Sequence, residues 1–275
     1  IQQALPIFHE YGIYPSANLG INRNLAGNPF AQIAHSKAFY DECRSGFEHF
    51  FGFICDLGFT MVNCCYPMSV PEAASESGLV PVYAATATDS VVNFSQTEKK
   101  WLFKALFETI PLYRSRIRIF TPRTALLALI RLIGGDRHEP YSCRGGVDFF
   151  FIDAKTAHTY PCGYRGADDL GRFEDLNLNE TGKTPCHCLR CDWECFRDPS
   201  ELMGPVLHGL SHPAAGIKRW AEDRIHFRLW REDLRYYRAC RFFDGRKAPE
   251  WHRMRGFEKT VSLLAAFPHD RAFSP

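Results

Sequence analysis

The sequence has no long hydrophobic run. Its longest apolar stretch, 125–133, is interrupted by Arg131 and is far shorter than the roughly 20 residues that a membrane-spanning helix needs. The N-terminal segment places Glu10 and Pro15 where a signal peptide would have its apolar core. We therefore expect a cytoplasmic protein with no membrane partner.

The sequence also lacks a strong excess of one charge. Its 33 Lys and Arg residues against 31 Asp and Glu residues leave a net charge of +2. That balance gives no overall electrostatic argument for nucleic acid, which is not expected as a partner. The G-x-S-x-G elbow, the P-loop, H-E-x-x-H and the dinucleotide-binding glycine fingerprint are all missing. Hydrolase and nucleotide-triphosphatase functions therefore have no support.

Cysteine, in contrast, is plentiful. Five of the eleven cysteines are scattered among apolar residues, as buried inert thiols usually are. Without a secretory signal, clustered thiols are more often metal ligands than disulfides. The sequence therefore predicts a metal site, and the candidate ligands are the six clustered cysteines Cys143, Cys162, Cys186, Cys188, Cys191 and Cys195.

The spacing of these cysteines predicts how they meet. A β-hairpin over 143–162 would bring its two terminal cysteines together, and the pair Cys188 and Cys191 forms a CxxC turn. Four sulfur ligands suit a [4Fe–4S] cluster or a structural zinc ion. Cys186 and Cys195 leave room for another choice of ligands or a second metal. Disulfides or free thiols are the remaining alternative.

The part before this module is predicted to be α/β. Strands are expected at 14–22 and 59–65, and helices at 37–57, 98–110 and 121–133, the last with Thr121 as its N-cap. Strands separated by helices of this length pair in parallel. So small a parallel sheet leaves unpaired edges, so we expect the chain to be a piece of a longer protein.

The predicted organisation has four parts. Residues 1–120 would be the C-terminal part of a partial parallel β/α barrel, and 121–139 a connecting helix. Residues 140–198 would be a small cysteine-rich β-hairpin cluster domain, and 199–275 a helical tail.

Polar residues follow the predicted parallel strands. Asn18, Asn22 and Arg23 lie along or just after the first strand, and Asn63 lies near the end of the second. Because sites of α/β proteins assemble in the loops after such strands, these four residues are candidates for binding a nucleotide-like cofactor. The alternative is ordinary loop capping.

The cysteine pattern resembles a known family. Cys143, a hairpin ending in Pro161–Cys162, and the pair Cys188 and Cys191 are similar to the auxiliary-cluster region of radical S-adenosylmethionine enzymes, in its shortened Twitch form related to SPASM. The resemblance implies an auxiliary [4Fe–4S] cluster, an electron donor, and a peptide or small-molecule substrate. The CxxxCxxC motif of that family is absent. Consequently S-adenosylmethionine and a second [4Fe–4S] cluster are expected only with a missing N-terminal part, and this chain alone is not expected to be active.

A second function remains open. An arginine-rich C-terminal helix carries residues at alternating spacings of four and three, which places them on one stripe: Arg224, Arg228, Arg231, Arg235 and Arg238. In this reading the chain is a non-enzymatic, zinc-stabilised protein that uses the stripe to engage a partner. The simpler expectation is a solvated flank neutralised by neighbouring acids, namely Glu222, Asp223, Glu232 and Asp233.

Overall fold

The structure is a computed structural model that describes residues 1–26, 36–67, 79–82, 91–181, 188–189, 192–244 and 246–257. These residues form a mixed α/β structure, and five short strands lie within them. The strands are β1 Ser16–Gly20, β2 Met61–Cys65, β3 Arg118–Ile119, β4 Phe151–Ile152 and β5 Thr159–Tyr160. The α-helices are α1 Ala4–Glu10, α2 Ser36–Asp56, α3 Gln96–Tyr113, α4 Arg123–Ile133, α5 Leu178–Thr181, α6 Glu194–Ser211, α7 Pro213–Glu222, α8 Arg224–Ala239 and α9 Trp251–Met254.

The first three strands form a parallel sheet in the order β1-β2-β3. Ser16 pairs with Met61, and Met61 pairs with Arg118. Helix α2 lies between β1 and β2 in the chain, and α3 lies between β2 and β3. The predicted parallel α/β arrangement is thus confirmed. The sheet is open, and no barrel is present in the described ranges.

Helices α2 and α3 pack on each other and on the sheet through aromatic side chains. The rings of Phe47, Phe51, Phe103 and Phe107 are fully buried in one core. Their spacing of four within each helix places them on one face, as the predicted period of 3.6 requires. Ser95 begins α3 with a capping box, in which its hydroxyl accepts the Glu98 N–H.

The start of helix α4 differs from the prediction. Pro122, and not Thr121, is the N-cap residue. The N–H of Thr124 instead donates to Asp233 Oδ2 of α8 at 2.9 Å. The Asp233 carboxylate, from a helix distant in the sequence, therefore accepts a backbone N–H at the start of α4, a role that the sequence suggested for the Thr121 hydroxyl.

The predicted hairpin is shorter than the span between its two cysteines. Strands β4 and β5 pair antiparallel over two residues each. Cys162 follows β5 closely, whereas a tight loop separates Cys143 from β4, with the Gly146 N–H donating to the Phe149 carbonyl at 2.7 Å. Helix α6 begins at Glu194, so it also crosses the boundary predicted at residue 198.

Helix α8 is attached to the rest by buried polar groups. Asp233 accepts from Arg114 Nη2 at 2.5 Å and from Thr124 Oγ1 at 3.0 Å, and the side chains of Asp233 and Arg114 are both fully buried. The Tyr236 hydroxyl donates to the Ile117 carbonyl and accepts the Ile119 N–H, each at 2.9 Å. These bonds fix α8 to α4 and to the edge strand β3.

None of the helices described here is both long and apolar enough to cross a membrane.

Replacing Asp233 with alanine tests the role of this network. The change leaves the buried Arg114 guanidinium with only the partly exposed Glu232 carboxylate at 3.3 Å, so the free energy of unfolding should fall by about 3–5 kcal/mol. Arg235→Ala, on the exposed face of the same helix, should change it by less than about 0.5 kcal/mol. Urea unfolding followed by circular dichroism measures both. Equal effects of the two substitutions would show that the network does not hold α8.

Candidate metal centre and adjoining cleft

Three of the six candidate ligand cysteines meet in one buried cluster. Cys143 and Cys162 are each 6% exposed and share this cluster with Tyr164 and Phe196, and Cys188 packs against it. The Cys143 N–H donates to the Cys188 carbonyl at 3.1 Å. Residues from three separate segments are therefore brought into or against one cluster, and their joint binding of a metal stays a prediction.

A hydrogen bond is directed at one of these sulfurs. The N–H of Gly145 donates to Cys143 Sγ at 3.3 Å. A Cβ at position 145 would lie 2.7 Å from the Pro161 carbonyl oxygen, so only glycine allows this approach. Backbone N–H groups that bond to sulfur stabilise a negatively charged thiolate and tune a metal bound to it.

Trp193 forms the aromatic wall of the cluster. Its ring centroid lies 5.2 Å from that of Tyr164 and 5.2 Å from that of Phe196. Gly163 passes directly beside it, and a Cβ there would come within 2.4 Å of the indole ring. Such an apolar shell keeps water away from the sulfurs, which is one of the factors that set the potential of a metal cluster.

The loop after Cys162 is fixed by a short extended segment. The Val80 N–H donates to the Tyr164 carbonyl at 2.9 Å, and the Val82 N–H donates to the Gly163 carbonyl at 2.8 Å. The Gly166 N–H completes the set by donating to the Val80 carbonyl at 2.8 Å. The backbone around Cys162 is thus held in place by a segment far away in the sequence.

The other three candidate ligands have different positions. Cys186 and Cys191 lie outside the described residues. Cys195 is exposed and belongs to a neighbouring cleft, not to the cluster of the other cysteines. Within the described ranges there is no disulfide, and no set of three or more His, Cys, Asp or Glu side chains is arranged to hold a metal ion.

The neighbouring cleft has a volume of about 340 Å³ and opens at the carboxyl end of β2. Its polar groups come from Asn63, Glu194, Cys195 and Asp198. The remaining lining is mostly apolar and includes Phe120, Pro122, Leu202, Met203, Tyr237, Phe242 and Phe243. Ligands of parallel α/β sheets bind at this end of the strands, and the predicted candidate Asn63 is in place there.

Two carboxyl groups with raised pKa values, Glu194 and Asp198, line the cleft. Glu194 is 5% exposed, and burial raises its pKa. Burial and then the charge of Glu194 raise the pKa of Asp198 well above its usual value. Tyr66 contacts both, because its N–H donates to Glu194 Oε2 at 3.1 Å and its hydroxyl donates to Asp198 Oδ1 at 3.0 Å. A raised pKa means that each of these carboxyl groups binds a proton more readily than an ordinary carboxyl group does.

Two thiols flank Glu194. Cys195 is exposed as a residue, but its Sγ lies in the cleft 3.8 Å from Glu194 Oε1; partial burial of the thiol, followed by the Glu194 charge, raises the pKa of Cys195 to about 12. Burial and Glu194 likewise raise the pKa of Cys65 to about 11. Both groups are therefore protonated thiols at neutral pH. Cys64 is fully buried on the opposite face of β2, as the alternation of a strand requires.

The first turn of α6 lies between the cysteine cluster and the cleft. Trp193 and Phe196 contact the cysteine cluster, whereas Glu194, Cys195 and Asp198 line the cleft. Just before this turn, Lys99 Nζ of α3 forms a buried ion pair with Asp192 Oδ2 at 2.7 Å. A single helical turn therefore presents side chains to both places.

The other predicted cofactor-binding residues have contacts inside the protein. Arg23 forms a bidentate pair with Glu98, with both N–O distances at 2.9 Å. Asn22 accepts the Asn24 N–H and donates to the Gly20 carbonyl, which is a loop-capping arrangement. Asn18 pairs across the sheet with Asn63 on β2. Binding of a cofactor by these residues stays a prediction.

Sequence reasoning missed Glu194, Asp198 and Tyr66. Glu194 and Asp198 are four residues apart, which is the spacing that places two side chains on one face of a helix. That spacing is informative only if both residues lie in one helix. The predicted helical tail began at residue 199, five residues after α6 begins at Glu194. Tyr66 gave no sequence pattern of its own, since only folding brings it to α6.

The Gly163→Ala variant tests the packing around Trp193. The added methyl group would clash with the indole, so the free energy of unfolding should fall by about 1–3 kcal/mol and the tryptophan emission should shift. The matched control is Gly209→Ala in α6, where a Cβ has nothing within 4 Å. This control should gain about 0.5–1 kcal/mol. A neutral Gly163→Ala would contradict the described contact.

The Asp198→Asn variant tests the paired carboxyl groups. A carboxyl whose pKa is raised by folding binds protons more tightly in the folded chain, so stability falls as the pH rises above the ordinary value of about 4. Asparagine keeps an oxygen acceptor for Tyr66 but carries no charge. We expect a flatter decline in unfolding midpoint between acid and neutral pH, measured by urea titration. Asp175→Asn, at an exposed site, should leave the profile unchanged, and a wild-type profile in Asp198→Asn would refute the coupling.

Comparison with protein-family models, with curated proteins and with solved structures gave no match for this chain.

Proposed function

We propose that Cys143, Cys162, Cys188 and Cys191 bind a [4Fe–4S] cluster. The observation that carries this proposal is the meeting of Cys143, Cys162 and Cys188 in one buried cluster, although they come from three segments of the chain. Cys191 would supply the fourth sulfur, because a CxxC turn places its two cysteines on one metal centre. Cys195 is left out, since its thiol lies beside Glu194 in the cleft.

The surroundings fit an iron–sulfur cluster. The Gly145 N–H already donates to Cys143 Sγ, and Trp193, Tyr164 and Phe196 form an apolar shell. Hydrogen bonds to sulfur and limited water access are the means by which a protein tunes such clusters. When bound, the cluster would supply one-electron transfer. Zinc ribbons usually present two CxxC turns, whereas Cys143 and Cys162 are 19 positions apart.

In our proposal the chain is the C-terminal portion of a radical S-adenosylmethionine enzyme, and the cluster is its auxiliary one. The parallel β/α units and the cysteine spacing support this proposal together. The cleft at the carboxyl end of β2 would receive the substrate. There Asn63 would position the substrate, and Glu194 and Asp198 would hold or accept a proton. The first turn of α6 would couple the cluster to the bound substrate.

Iron binding tests the proposal directly. Anaerobically purified and reconstituted protein should be brown and should carry about four iron atoms and four sulfides per chain. Cys143→Ser should lose most of this iron, because the remaining thiolates cannot complete the cluster. Cys55→Ser, at a half-buried position in α2, should keep the wild-type content.

Other outcomes of the same measurements would contradict the proposal. Colourless protein that binds one zinc ion per chain through the same cysteines would establish a structural zinc site, and with it the non-enzymatic alternative. Iron retained in full by Cys143→Ser would exclude this cysteine as a ligand. Loss of the cluster in Cys195→Ser, together with its retention in Cys191→Ser, would show that Cys195 and not Cys191 is the fourth ligand.

A further inference from the structure

The exposed face of helix α8 consists entirely of arginine. Every residue of this helix that is exposed belongs to the arginine stripe Arg224, Arg228, Arg231, Arg235 and Arg238. The opposite face is buried and includes Phe227, Leu229, Tyr236 and Tyr237. The orientation of the helix is therefore fixed, and the stripe faces solvent along its whole length.

The acids that the sequence offered as partners do not neutralise this stripe. Asp223 Oδ2 instead accepts from Arg131 Nη1 at 2.7 Å, and Asp233 Oδ1 accepts from Arg114 Nη2 at 2.5 Å. Glu232 also points inward and pairs with Arg114 and Arg123, each at 3.3 Å. Glu222 ends the preceding helix α7 and is exposed.

The expectation that neighbouring acids neutralise the stripe is thus wrong for three of the four acids, Asp223, Glu232 and Asp233. No ion pair within the described part of the chain involves an arginine of the stripe. The net charge of +2 conceals this feature, because it sums charges without regard to position. Five positive charges stand together on one face.

We propose that the arginine stripe binds the phosphate backbone of a nucleic acid. Guanidinium groups form forked hydrogen bonds that match phosphate oxygens, and each contact releases condensed counterions. A protein partner fits less well, because exposed ion pairs contribute little and the stripe has no exposed apolar side chain to anchor an interface. This proposal is independent of the iron–sulfur cluster.

The length of the stripe suits such a backbone. Arg224 and Arg238 are separated by roughly 21 Å at the helical rise of 1.5 Å per residue. Duplex DNA carries about a dozen phosphate charges over that length, so each arginine can reach one of them. Backbone contacts alone carry no sequence information, so we expect binding that is tight at low salt and indifferent to sequence.

The test is binding of the full chain to fluorescently labelled 20-nucleotide single-stranded RNA and duplex DNA of mixed sequence, followed by anisotropy at several salt concentrations. Five phosphate contacts predict a loss of affinity of roughly two to three orders of magnitude between 50 and 200 mM salt. The triple variant Arg228→Gln, Arg231→Gln and Arg235→Gln should weaken binding at low salt. The two contacts left to it should reduce the salt effect to about one order of magnitude.

Two further variants make the test specific. Lys37→Gln, Lys247→Gln and Arg253→Gln together remove the same charge from exposed side chains that already pair with acids, so they should bind like wild type. Arg228→Lys, Arg231→Lys and Arg235→Lys keep the charge and should keep most of the salt dependence. Circular dichroism checks that all variants are folded.

Three results would overturn the proposal. The first is no binding to either nucleic acid at low salt. The second is an equal loss of affinity in the ion-paired control, which would mean that only overall charge matters. The third is binding of polyglutamate to the stripe without binding of nucleic acid, which would identify an acidic protein as the partner.

Discussion

The buried ion pair between Lys99 and Asp192 fixes the chain just before α6 against helix α3. Tyr66 continues this attachment by bonding to Glu194 and Asp198 in the first turn of the helix. Both the cysteine cluster and the cleft depend on this turn, because side chains from its two sides form a wall of each. Taking charges out of water is costly, so removing one of these buried partners would leave the other uncompensated and would destabilise the docking of the turn.

Burial of acids on α8 has consequences inside and outside the protein. Inside, Asp233 supplies the helix cap of α4 and holds Arg114, so one carboxylate replaces a local capping residue. Outside, the same arrangement leaves the arginine stripe without acidic partners in the described structure. The positive surface is therefore a consequence of the way the helix is anchored, and both effects follow from the direction in which its acidic side chains point.

The cysteine centre and the cleft have contrasting chemistry although they share a helical turn. Around Cys143, a backbone N–H donates to sulfur, which favours a thiolate and hence metal binding. Around Cys195, burial in the cleft and then the neighbouring Glu194 carboxylate raise the pKa of the thiol, which disfavours the thiolate. This difference distinguishes the candidate ligand Cys143 from Cys195 in the cleft, and the spacing of cysteines in the chain could not have shown it.

The sequence by itself determined the local elements: the apolar period predicted α2 and α3, and the alternation of helices and strands predicted the parallel sheet. It also grouped Cys143, Cys162 and Cys188 as candidate ligands, and folding places all three in or against one apolar cluster. Only the tertiary structure decided where the acids point. Asp198 and Asp233 acquire their roles from residues more than a hundred positions away, and no local pattern contains that pairing.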